Sequence, residues 1–162
     1  MAILSKEQVF KQIREGLRNQ ISGTEKAVEQ AREAFRVGDD RAENRGERGA
    51  IQEKSWLLSA QAARLDDLRR QLFAIENTEL EAHSAVSLGA VVVVEEPDRG
   101  KREIYLVHPA LGGTEIEVEG LTLLAISPAS PIGAALLGRR AGDEIEVRLP
   151  TITRRLTILE VD

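Results

Sequence analysis

"FRVGDDRAENRGERGAIQEK", Phe35 to Lys54, decides how the first half of the chain folds. It carries two aspartates, four arginines and three glycines, and no proline. On both sides the sequence becomes amphipathic with helical spacing. A turn centred on Gly38, Asp39 and Asp40 therefore joins two helices, which a short connection obliges to run antiparallel.

Upstream, no proline interrupts Ser5 to Val37. The opening "SKEQ" reads as a capping box, with Ser5 as N-cap and Gln8 three residues on. Phe10, Leu17, Thr24 and Ala31 occupy one heptad position and Ile13, Gln20, Ala27 and Ala34 the other, with Ile21, Val28 and Phe35 widening the stripe. Gly23 weakens the helix by about 1 kcal/mol relative to Ala. Downstream, Ile51, Leu58, Leu65 and Leu72 recur every seven residues, with Leu68 and Ile75 in the companion register. Helices of this length span roughly 45–50 Å at 1.5 Å per residue.

Composition narrows the function. The 162 residues are 30% charged and 3% aromatic, which suits long exposed helices with a modest core. A net charge of −5 opposes binding nucleic acid by general phosphate neutralisation. Without cysteine there is no disulfide, thiolate nucleophile or cysteine-held zinc, and two histidines do not make a metal site. No apolar run has membrane-spanning or signal-peptide length, so a cytoplasmic location is the expectation.

After "ENTELEAHS" the pattern changes. "AVSLGAVVVVEE", "KREIYLVHP", "GTEIEVEG", "DEIEVRLP" and "RRLTILEVD" read as about five strands of an antiparallel sheet, separated by Gly or Pro. Between the third and fourth lies "SPASPIGAALLGRRAGDE", one short helix with Ser130 as N-cap, Pro131 at its first position and Gly138 at its C-terminal cap. The expected fold is α+β, with a coiled-coil hairpin over residues 1–77, its acidic tip near 38–44, and a sheet domain over 78–162.

The tip supports two readings. Asp40 with Glu43 three residues later is a helix-start pattern, satisfying amides and favouring the positive end of the helix dipole. The same pair also offers hard oxygen ligands on one side of a helix start, suited to Mg²⁺. Two carboxylates are too few to hold the ion alone, so such chemistry would take place in another protein's active site. The basic residues around the tip interleave with acids, the mark of a solvated face, but Arg36 and Arg45, which flank it, are the first candidates for RNA contact.

A long hairpin, a tip reading "GDDRAEN" and a small domain containing "SPIGAALLGRRAGDEIEV" together resemble the bacterial Gre family of transcript cleavage factors, GreA and GreB. The C-terminal stretch is the more specific part. The family's pattern is met there at Ser130, Pro131, Ile132 and Gly133, through Ala135, Leu136, Leu137 and Gly138, to Gly142, Asp143 and Pro150. The resemblance implies an FKBP-like C-terminal domain, without prolyl isomerase activity, that docks on RNA polymerase through residues such as Ser130, Pro131, Ile132, Leu137 and Gly138. It implies a hairpin that reaches down the secondary channel to the 3′ end of backtracked nascent RNA. Aligned on Glu43–Asn44, it assigns Asp40 and Glu43 as the acids that share a Mg²⁺ with polymerase, with Asp39 as a substitute for Asp40. The chain would then be an accessory factor and a monomer, not itself an enzyme. Where the family has Ala-Glu-Tyr after the asparagine, this chain has Arg45, Gly46 and Glu47, so an aromatic near the tip is missing. Regulation of transcription from the same channel without cleavage is the alternative.

Trp56 and His83 read as packing residues. No serine sits in a Gly-x-Ser-x-Gly elbow or has a histidine partner.

Overall fold

The computed structural model describes residues 4–39 and 45–162, with side chains described for 4–36 and 48–162. Two long helices come first, α1 (Lys6–Asp39) and α2 (Arg45–Glu76). Ser5 begins α1 as the sequence predicts: Oγ accepts from the Gln8 amide at 3.2 Å, and Gln8 Oε1 accepts from the Ser5 amide at 3.3 Å. Gly38 does not end α1, which continues through it to Asp39.

The chain divides into two compact units, one of Arg14–Phe73 and one that joins residues up to Ile13 with Ala74–Asp162. Within the first, Leu17, Val28, Leu65 and Leu68 are buried. Gln20 and Ala34 are exposed, so the companion seam on α1 passes instead through Ile21, Val28 and Phe35. A straight helix drifts about 20° per heptad against a strict seven-residue repeat, and the bulkier neighbour takes the inward position. Arg69 Nη2 meets Glu25 Oε1 at 2.8 Å and Arg64 Nη2 meets Gln20 Oε1 at 3.4 Å, tying the two helices at their surface. Exposed ties of this kind contribute at most about 1 kcal/mol.

The second unit is built on six strands: β1 (Val91–Glu96), β2 (Lys101–Val107), β3 (Glu115–Val118), β4 (Leu121–Ile126), β5 (Glu144–Arg148) and β6 (Thr153–Val161), with the short α3 (Pro131–Leu136) between β4 and β5. The sheet order is β3-β4-β2-β1-β6-β5. The expectation of five antiparallel strands fails at "LTLLAI", which forms β4. Glu119 (φ 51°) and Gly120 (φ 80°) make a two-residue turn that pairs Val118 with Leu121, the positive-φ geometry of a tight hairpin. The reversal at this turn makes β4 run parallel to β2, with Ile104 opposite Leu123 and Val107 opposite Ile126. The other pairings are antiparallel.

A core of Val92, Val94, Val107, Leu136, Ile145, Leu156 and Ile158 lies on one sheet face, with Ile132 and Ala135 packed against it. The root of α1 belongs to the same unit, where Leu4, Val9, Phe10 and Ile13 are buried. Lys6 is buried as well; its amide donates to Asp162 Oδ2 at 2.7 Å and its ammonium to the Glu81 carbonyl at 3.0 Å. Burial lowers the Lys6 pKa, against the opposing pull of Asp162 and Glu79.

Candidate functional site

The motif around α3 is a folded device before it is a surface. Ser130 Oγ accepts from the Gly133 amide at 3.1 Å and donates to the Ser127 carbonyl at 2.7 Å. Pro131 follows at the first helical position, where its missing N–H is harmless. Gly133 admits no side chain, because a Cβ there would sit 2.0 Å from the Ser127 carbonyl oxygen. Leu136 is fully buried, whereas Leu137 is 37% exposed. Gly138 takes the left-handed conformation (φ 79°) and donates its N–H to the Val86 carbonyl at 2.8 Å. Asp143 Oδ2 accepts from the Arg140 amide at 2.8 Å and closes the turn into β5. Of the residues expected to dock, Ser130 and Gly138 thus have structural tasks, Ile132 is partly buried, and Pro131 and Leu137 face outward.

Three strands assemble a polar cluster that the sequence did not reveal, since its members lie far apart along the chain. Arg154 on β6 reaches Glu96 on β1 at 2.9 Å and Glu103 on β2 at 2.8 Å. Tyr105 donates its hydroxyl proton to Glu103, and the Lys101 ammonium donates to Glu103 Oε1 at 2.8 Å. Burial alone would raise the Glu103 pKa, but the donors Lys101, Tyr105 and Arg154 prevail and hold it at about 2. Tyr105 is pushed up to about 12 by burial and by the neighbouring Glu103 charge. The hydrogen bond from Arg154 lowers the Glu96 pKa, and the Arg154 value rises in return. Its Nε is buried without a partner among the described residues.

A second device joins the end of α2 to the sheet. The Ala110 amide donates to His108 Nδ1 at 3.1 Å, so that nitrogen carries no proton. Nε2–H then donates to Thr78 Oγ1 at 2.8 Å, and Thr78 donates onward to the Ala74 carbonyl at 2.7 Å. The ring meets Phe10 edge-on at 6.3 Å. Burial lowers the His108 pKa and favours this neutral form.

At the other end of the helices, Asp39 closes α1 and Arg45 opens α2. Asp40, Glu43 and Asn44 lie outside the described residues. Arg36 is exposed and paired with Glu33 at 2.9 Å on its own helix. Trp56 and His83 are not packing residues, since both are exposed. For Trp56 the signal was its register, since a position two residues before the seam residue Leu58 lies on the opposite side of the helix. Among the described residues, no group of three or more His, Asp or Glu side chains is placed to hold a metal ion, and no helix is long and apolar enough to cross a membrane.

Comparison with known proteins agrees with this layout. Residues 81–162 match the family model described as "Transcription elongation factor, GreA/GreB, C-term". The "Transcription elongation factor GreA" of Magnetococcus marinus is 29% identical over 150 residues, covering 93% of this chain and 90% of that protein. The "Transcription elongation factor GreA" of Sulfurovum sp. is 30% identical over 137 residues, covering 84% and 76%. The "Transcription inhibitor protein Gfh1" of Thermus thermophilus is 29% identical over 153 residues, covering 94% and 92%. Through this match, which spans the capped α3 and the strands around it, the chain belongs to the GreA/GreB family of transcription elongation factors.

Proposed function

We propose that this factor enters the secondary channel of bacterial RNA polymerase and stimulates cleavage of backtracked nascent RNA. The observation that carries the reading is the position of Asp40, Glu43 and Asn44. They fall in the short connection between two helices of 34 and 32 residues, each roughly 50 Å long. Acids in a connection between two long helices suit delivery into the active site of another protein.

Asp40 and Glu43, with Asp39 as a substitute for Asp40, suit Mg²⁺ as a partial donor set. Carboxylate oxygens are the ligands this hard ion prefers, and the remaining positions fall to water, phosphate and polymerase carboxylates. The ion, when bound, activates water and stabilises charge on the phosphoryl oxygens. Arg36 and Arg45, on either side of the acids in the sequence, serve contact with the extruded RNA. Leu137 and Pro131, outward on a rigid turn, serve docking on polymerase. The factor works in the cytoplasm as a monomer.

The likeness to a transcription inhibitor, together with Arg45, Gly46 and Glu47 in place of the family's Ala-Glu-Tyr, favours a second reading: a regulator that occupies the channel without promoting cleavage. Cleavage by a halted, backtracked elongation complex with Mg²⁺ separates the two. On the first reading wild type accelerates cleavage, while Asp40→Ala and Glu43→Ala bind polymerase normally but lose about 100-fold or more of the stimulation. Binding without any stimulation by wild type would establish the second.

A further inference from the structure

Aromatic residues are 3% of this chain, and its single tryptophan is not in a core. Trp56 on α2 is 69% exposed and the adjoining Leu57 48%. Trp56 lies about 200° round the helix from the seam residue Leu58, and about 16 Å along the axis from the start of α2. Its same-side neighbours are exposed too: Ser59, Ala60 and Ala63 on the C-terminal side are small, and Gln52 and Glu53 lie on the N-terminal side. Ser55 to Ala63 contains no charge, in a chain that is 30% charged. On its C-terminal side the ring is therefore neither sheltered by long side chains nor flanked by charge, and the charge on its N-terminal side is the negative Glu53.

Two magnitudes decide what covers it. Trp56 and Leu57 together offer on the order of 200–300 Å² of contact, whereas each partner in a stable complex contributes about 800 Å². The patch is too small to hold two copies of the chain together, and suits one contact within an interface made largely elsewhere. The absence of positive charge around it disfavours a nucleic-acid backbone, which aromatic stacking platforms accompany with basic grooves. We infer that Trp56 is an anchor for a protein partner, inserted into an uncharged, apolar recess in the polymerase wall beside the hairpin. The inference rests on the channel reading proposed above. Tryptophan supplies such anchors more often than most residues, because one rigid side chain buries a large area.

The test uses the full chain labelled with 5-hydroxytryptophan, excited where ordinary tryptophan does not absorb, so that Trp56 alone reports. On adding core polymerase free of nucleic acid, acrylamide quenching of the label should fall. Trp56→Ala should weaken binding about 10-fold or more, Trp56→Phe should restore part of it, and α2 helicity should be unchanged. Undiminished quenching in a bound complex, with Trp56→Ala binding as wild type does, would overturn the anchor while leaving the channel reading intact. Protection only when extruded RNA is present would assign the ring to RNA stacking, and protection by raising the factor's own concentration would assign it to a second copy; either overturns the inference. No binding by wild type would sink the channel reading itself.

Discussion

The two ends of this molecule use their residues differently. In the sheet unit, Ser130, Gly133, Leu136, Gly138 and Asp143 each answer a local demand: a cap, a close backbone approach, a core contact, a left-handed turn or an amide to satisfy. In the hairpin unit, described charged residues beyond the seam find partners at the surface, as Arg36 meets Glu33 and Arg70 meets Asp67. A motif shared in the sheet unit therefore reports a common fold. A described residue with no such local task, as the exposed Trp56, is where function is to be sought.

Gly133→Ala is one of the two largest expected breaks in this contrast, the other being Leu136→Ala. The new methyl would lie 2.0 Å from a carbonyl oxygen already engaged by Ser130, so the turn must open, at a cost of about 3 kcal/mol. Thermal or urea unfolding measures it, and an unchanged midpoint would refute the close-approach account. Next come the paired leucines. Leu136→Ala should lose about 2–5 kcal/mol of stability through the cavity it leaves. Leu137→Asp, at the neighbouring outward position, should stay within about 0.5 kcal/mol and instead weaken polymerase binding. Equal destabilisation by the two variants would mean that the motif has no outward face.

The smallest effect is a pH dependence. Because burial lowers the His108 pKa in the folded state, its contribution is fully present above the unfolded value of about 6.5 and is lost as pH falls through the folded value. Melting temperatures between pH 7.5 and 5 should decline in wild type and be flatter in His108→Gln. Parallel curves would exclude the neutral imidazole bridge as the source.

Much of this organisation was legible in local sequence. The capping box at Ser5, the heptads, the Pro131 start and the Gly138 stop depend on residues within one or two turns of each other, so the pattern and the physics share a range. Alternation found most strands for the same reason. It failed at Leu121–Ile126, where a mostly apolar run follows a two-residue turn and resembles the strand interior before it. The outward positions of Trp56 and His83 were misread as packing, because burial depends on what lies opposite and not on residue type.

By itself the sequence determined the helical hairpin, the strand-rich second half and the motif that placed the chain in its family. These follow from periodicity, capping and turn stereochemistry acting over short separations. Only the tertiary structure decided that β4 lies parallel to β2, that Glu96, Glu103 and Arg154 share a partly buried cluster, and that Leu136 turns inward while Leu137 turns out. Such outcomes depend on strand pairing between residues far apart in the chain, as Val92 with Val161, where the competition for burial and for hydrogen-bond partners is settled by the whole fold.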